Sequence, residues 1–171
     1  MLRTFAKFLK ILNSDADPAQ ISLGFAFAMI AGFTPLMSLH NLLVLLLVLF
    51  LRVNLSAFLL GLALFSALAF ALDPLFHQIG LALLTLPALN GLWTTLYNST
   101  LWRLERFNNS IVMGSLAVSL ALFVPMVLVG NRLVAKYREH VLQWVMRTRL
   151  MQAFKASKLF GYYQSVSGWG E

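Results

Sequence analysis

Few side chains in this sequence could move a proton or hold a metal. Among the six acids, Asp73 is the one set among apolar neighbours, and His77 follows it one helical turn later. That pair could share a proton, and with His40 it offers the imidazole and carboxylate ligands that zinc accepts. Three scattered ligands with no closing fourth do not make a zinc centre, so no metal and no cofactor is expected. An aspartate at the centre of a membrane helix costs about 2.5–3.5 kcal/mol. Asp73 is therefore read as a cap for a helix begun by Pro74, or else as a functional group. The second cluster is Thr34, Pro35, Ser38, His40 and Asn41, polar groups around a helix-breaking proline. They could repair the broken backbone or line a wet notch. Together with Asp73 and His77 they form a candidate polar path. There is no Gly-x-Ser-x-Gly, no phosphate loop and no metalloprotease motif, and an enzyme is not expected.

The elements that must position these groups are apolar. Hydrophobic residues make up 60% of the 171, charged residues 11%, and the mean hydropathy is +0.79, whereas an average soluble domain has about a quarter of its residues charged. The pattern predicts an all-α integral membrane protein. The absence of cysteine excludes disulfides and thiolate chemistry. Basic residues crowd the two ends (Arg3, Lys7 and Lys10; then Arg132, Lys136, Arg138, Arg147, Arg149, Lys155 and Lys158). This places both termini on the cytoplasmic side. Charge at bilayer flanks needs no nucleic acid to explain it, and none is expected.

Ile21–Phe33 would be roughly 20 Å long as a helix and Leu36–Leu51 roughly 24 Å. Neither comfortably crosses about 30 Å of hydrocarbon. Gly32 and Pro35 interrupt the run, so a re-entrant hairpin is expected. Gly24, Ala26, Ala28, Ala31 and Gly32 would let its arms approach, and Arg52 and Asn54 would meet lipid headgroups at its exit. Leu55–Leu72 is long enough to cross. Asp73-Pro74 is expected to stop it and to start a second short arm, Leu75–Leu86, making a second broken element like the first. Broken helices in matching positions point to a binding site in transporter-like folds.

The rest divides readily. Residues 1–18 are an amphipathic interfacial helix and linker, or a cytosolic helix packed on the protein, with Asp17 or Ser14 as N-cap and Pro18 at the first helical position. Residues 19–92 form the membrane domain. Residues 93–109, with Trp93, Tyr97 and Trp102, suit an extracytoplasmic interface, where Arg103, Glu105 and Arg106 bring the chain into water. Residues 110–130 are a transmembrane helix kinked at Pro125 and ended by Gly130-Asn131. Residues 131–171 are a basic cytoplasmic tail with an amphipathic helix from Arg132 to about Lys158.

Pro18, Ile21, Gly24-Phe25-Ala26, Gly32-Phe33-Thr34-Pro35-Leu36, Leu39-His40, Leu42, Arg52, Asn54 and Gly61 resemble the pattern of the bacterial domain-of-unknown-function 2062 family, over roughly Pro18 to Gly80. Ala28 and Ser38 stand where glycines are expected, and Asp73-Pro74 where Asn-Pro is. The resemblance implies a bacterial inner-membrane protein, of a proteobacterial subgroup with an extra C-terminal crossing and a large periplasmic partner.

Two functions fit these features. One is an inner-membrane component of a cell-envelope transport complex for phospholipid or another amphipathic solute, its hairpins making a headgroup path. The other is a structural membrane partner that anchors a periplasmic protein and moves nothing. A homo-oligomer suits the small size of either.

Overall fold

The computed structural model describes residues 16–137 and Glu139. The expected amphipathic N-terminal helix and nearly all of the basic tail lie outside these residues. The described helices form a compact unit ending at Val134, and a second unit begins at Ala135. Every described element is helical: α1 (Pro18–Phe33), α2 (Leu39–Phe50), α3 (Leu55–Leu84), a 3-10 turn (Pro87–Leu89), α4 (Asn90–Tyr97), α5 (Thr100–Leu104) and α6 (Ser110–Lys136).

Helix α1 starts as its sequence dictates. The Asp17 carboxylate accepts the Ala19 N–H at 2.9 Å, and Pro18 occupies the first turn, where its missing N–H costs nothing. The helix ends at Phe33, and Pro35 falls in the break between α1 and α2. At the far end of α2, the Asn54 N–H donates to the Gln20 carbonyl at 3.1 Å. The chain has thus returned to where α1 began, and α1 and α2 are the antiparallel arms of a hairpin.

Helix α3 then runs parallel to α1. Gly24 lies against Asn54, Ala57 and Phe58, and Gly32 against Leu62, Phe65 and Ser66. A Cβ on Gly32 would stand 2.7 Å from the Phe65 Cβ and 3.0 Å from the Ser66 nitrogen, so a side chain there would force the helices apart. The small residues of α1 therefore serve contact with α3, where contact between the hairpin arms was expected. Phe33 sits between Phe65 and Phe76, with ring centroids 5.3 and 5.1 Å away. The hairpin tip accordingly lies beside the middle of α3, whose second half extends past it.

The expected stop at Asp73-Pro74 does not occur. Helix α3 continues through Pro74 for 30 residues, about 45 Å, so the second broken element and the internal repeat it implied are absent. Pro74 forfeits one hydrogen bond, to the Phe70 carbonyl, but Ala- and Leu-rich turns on both sides carry the helix past it. Asp73 is thereby a residue of the helix interior and not a cap. Helix α6 is 27 residues long and likewise runs on through Pro125, Gly130 and Asn131, although Gly130-Asn131 was expected to end it. Gly130 is accounted for by packing, since a Cβ there would meet Ser22 Oγ at 2.9 Å.

Helix α6 returns antiparallel to α1 and α3. Ser22 meets Gly130, Phe27 meets Phe123 with centroids 5.1 Å apart, and Gly80 and Phe76 meet Ser110 and Gly114. At the last crossing the two backbones touch: a Cβ on Gly80 would overlap the Ser110 carbonyl, and one on Gly114 the Phe76 carbonyl. Helices α3 and α6 are long and apolar enough to cross a membrane, and only 22% of the most apolar window of each is buried. The core helix of a soluble protein would be mostly covered. Here leucines and phenylalanines face outward, with Phe50 84% and Phe70 83% exposed, as lipid-facing surfaces require.

Candidate functional site

The break between α1 and α2 is repaired by side chains, as two of its residue types suggested. Thr34 Oγ1 donates to the Ile30 carbonyl at 2.7 Å and lies 3.2 Å from Asn41 Oδ1. Asn41 Nδ2 donates to the Pro35 carbonyl at 2.9 Å and to the Ala31 carbonyl at 3.4 Å. Both side chains are buried, Asn41 almost completely. An unpaired backbone carbonyl in an apolar setting is costly. Pro35 deprives the Ala31 carbonyl of its helical N–H, and Asn41 supplies a donor there, while Thr34 adds a second donor to the Ile30 carbonyl that its own N–H already meets.

The start of α2 is served from far along the chain. Glu105, after α5, accepts the Leu39 N–H at 2.8 Å and the His40 N–H at 3.3 Å through Oε2, while its Oε1 pairs with His40 Nδ1. Ser38 Oγ lies 3.1 Å from His40 Nε2. Ser38 occupies the N-cap position, but its side chain makes no capping bond, so a carboxylate 65 residues downstream of His40 does the capping. Its negative charge also complements the positive end of the helix dipole. Glu105 is 7% exposed, whereas the sequence led one to expect Arg103, Glu105 and Arg106 all in water. The chain turns at Arg106, whose φ of 55° lies in the left-handed region, and Glu105 and Phe107 are buried on either side of it while Arg106 is exposed. A glutamate between two arginines carries no mark of burial, and its partner lies across the fold; Leu101 and Leu104 beside it were the faint apolar hint.

His40 and Glu105 belong to the wall of a cavity of about 1020 Å³. The wall is drawn from α1 (Phe27), α2 (Leu43), α4 (Trp93), α5 (Trp102) and α6 (Leu116 and Phe123), and apart from His40 and Glu105 every described lining group is apolar or aromatic. Such a space accepts a hydrocarbon chain and offers one polar pole for whatever is attached to it.

The other expected site residues lie elsewhere. His77 and Asp73 are on α3; His77 is exposed and its Nδ1 lies 2.6 Å from Ser110 Oγ, at the α3–α6 crossing. Of the expected polar path, Thr34, Pro35, Ser38, His40 and Asn41 lie at the hairpin tip, whereas Asp73 and His77 are on α3 and do not line the cavity, although Phe76 between them packs on Phe33. Asn54, expected to contact headgroups, caps α3 by accepting the Ala57 N–H at 2.8 Å. Arg52 is exposed in the turn just before it. No group of three or more metal-ligating side chains occurs among the described residues.

The family model for uncharacterised proteins conserved in bacteria, domain of unknown function 2062 (DUF2062), matches residues 2–143. The chain belongs to this family. The match reaches well beyond the stretch that carried the resemblance and takes in the Glu105 segment and α6, so the DUF2062 region contains every described residue of the cavity wall. An uncharacterised protein of Treponema pallidum (strain Nichols) is 26% identical over 141 residues, covering 82% of this DUF2062 chain and 87% of the relative. No solved structure matches.

Proposed function

We propose that this protein is a bacterial inner-membrane component that binds and passes a lipid or similar amphiphile, within a cell-envelope transport complex. The observation that carries this reading is the apolar cavity of about 1020 Å³ with His40 and Glu105 at its polar pole. Acyl chains would occupy the cavity, and the headgroup would stand at the hairpin tip. In this reading α3 and α6 cross the bilayer, α1 and α2 enter and leave on one side, and both termini face the cytoplasm. The return of Asn54 to Gln20 supports the re-entrant hairpin, and the basic residues at both chain ends support the orientation. A large periplasmic lipid-transfer protein is the expected partner, meeting the α4–α5 side.

The reading is tested by transfer of headgroup-labelled phospholipid in vesicles carrying the purified protein. Leu116→Trp with Val112→Trp fills the cavity, and transfer should fall at least tenfold while insertion and helix content stay unchanged. Undiminished transfer in that double variant would refute the reading. A non-transporting membrane anchor is the second reading, favoured by the way Thr34 and Asn41 are fully engaged in repairing the break. It predicts no transfer from the wild type and stable co-purification of a periplasmic protein.

A further inference from the structure

Resting on the lipid-binding reading, we propose that the cavity selects lipids whose headgroup bears a primary ammonium, of the phosphatidylethanolamine class, with Glu105 receiving that ammonium. Charge is the first consideration. Glu105 supplies the acid in the cavity wall and His40 the imidazole, and among the described residues no lysine or arginine lines it. With the carboxylate ionised, the pair is neutral or carries one negative charge, depending on the imidazole proton. A headgroup with only anionic groups is therefore not attracted to this pole, whereas a cation is.

Counting donors and acceptors sharpens the choice. An ionised carboxylate offers about four lone-pair sites. The Leu39 N–H, the His40 N–H and His40 Nδ1 take three, which leaves one on a side chain that is buried yet belongs to the cavity wall. A primary ammonium has three N–H donors and can use that site. A trimethylammonium group has none, and is left with attraction at longer range alone. Arg103 and Arg106, near Glu105 in the chain, are exposed and do not line the cavity, so the pole itself offers a headgroup an acceptor and no guanidinium.

The competing explanation is that Glu105 only caps α2. Glutamine separates the two roles, because its amide oxygen still accepts the N–H bonds while the charge is gone. The experiment is a native mass spectrometric titration of the full chain in detergent with phosphatidylethanolamine, phosphatidylcholine and phosphatidylglycerol of identical acyl chains. The wild type should bind phosphatidylethanolamine about tenfold more tightly than phosphatidylglycerol, with phosphatidylcholine between. In Glu105→Gln the affinity for phosphatidylethanolamine should fall about tenfold, to the level of phosphatidylglycerol. An independent arm leaves the protein untouched: N-acetylated phosphatidylethanolamine, which lacks the ammonium charge, should bind the wild type about tenfold more weakly than its parent. Equal or tighter binding of phosphatidylglycerol or phosphatidylcholine would overturn the headgroup assignment while leaving the cavity a lipid site. So would a Glu105→Gln chain that folds and keeps its preference, or an N-acetylated lipid bound as well as its parent. Failure of the wild type to retain any of the three lipids would overturn the lipid reading itself.

Discussion

Glu105 holds three groups at once, the two first N–H groups of α2 and the His40 ring. Replacing it with alanine leaves the Leu39 and His40 N–H groups without that acceptor, and each buried donor left unsatisfied costs about 1–3 kcal/mol, so about 3–5 kcal/mol together. Glu105→Ala should lose about that much in unfolding titrations with sodium dodecyl sulfate, whereas Glu105→Gln, which preserves the capping bonds, should lose about 1 kcal/mol. Asn41→Ala should cost about 2 kcal/mol, because the Ala31 and Pro35 carbonyls then have no donor. A loss below about 0.5 kcal/mol for Asn41→Ala would mean that water already serves those carbonyls. At this scale the sequence was partly legible. Thr34 and Asn41 could be read as menders of the break because the groups they mend are 4 to 10 residues away in the same segment. Glu105 could not be read in this way, since the helix end it serves is 65 residues away and its neighbours Arg103 and Arg106 are exposed.

Two prolines in similar apolar surroundings have opposite outcomes in this fold. Pro35 separates two helices and Pro74 lies within one. The local residues hardly distinguish them, which is why a second broken element was expected at Asp73-Pro74. Tertiary partners make the difference. After Pro35 the chain finds Asn41 and Glu105 to satisfy a new helix start, and must turn back to bring Asn54 to Gln20. Pro74 sits where α3 is packed on both sides, by Phe65 against Phe33 before it and by Phe76 against Phe33 and Gly80 against α6 after it. Pro74→Ala should therefore restore one helical hydrogen bond and raise stability by about 1 kcal/mol without altering the proposed lipid transfer. A sharp loss of fold in that variant would show that the proline is structurally required. Gly80→Ala should act in the opposite sense. Its new methyl meets backbone, which no rotamer change relieves, and overpacking of this kind costs about 3 kcal/mol. That two stretches would form helices long enough to cross was legible from apolar length, but where each helix ends was not, and neither was the partner of each small residue. Gly24 and Gly32 pack on α3, a choice made by the whole chain and invisible in α1 alone.

For the molecule as a whole, the outward-facing leucines and phenylalanines of α2 and α3 and the apolar length of α3 and α6 are what composition led one to expect. The proposed arrangement in the bilayer makes a definite prediction for a chain that has no native cysteine. Single cysteines at Ala19 and Val53 should react with an impermeant maleimide from one face, and a cysteine at Asn98 from the other. Labelling of 19 and 53 from opposite faces would remove the re-entrant hairpin. The cavity was beyond the reach of sequence reading, because its wall combines α1, α2, α4, α5 and α6, and no stretch of the chain contains more than a strip of it. Whether that space holds a lipid is the point on which the rest turns. The direct measurement is mapping of photo-crosslinks from a phospholipid with a diazirine in its acyl chain. Adducts concentrated on Leu96, Leu116 and Leu120 inside the cavity, and displaced by unlabelled lipid, are the predicted result. Adducts confined to outward-facing Leu49, Phe50 and Phe70, with the cavity residues unlabelled, would contradict it.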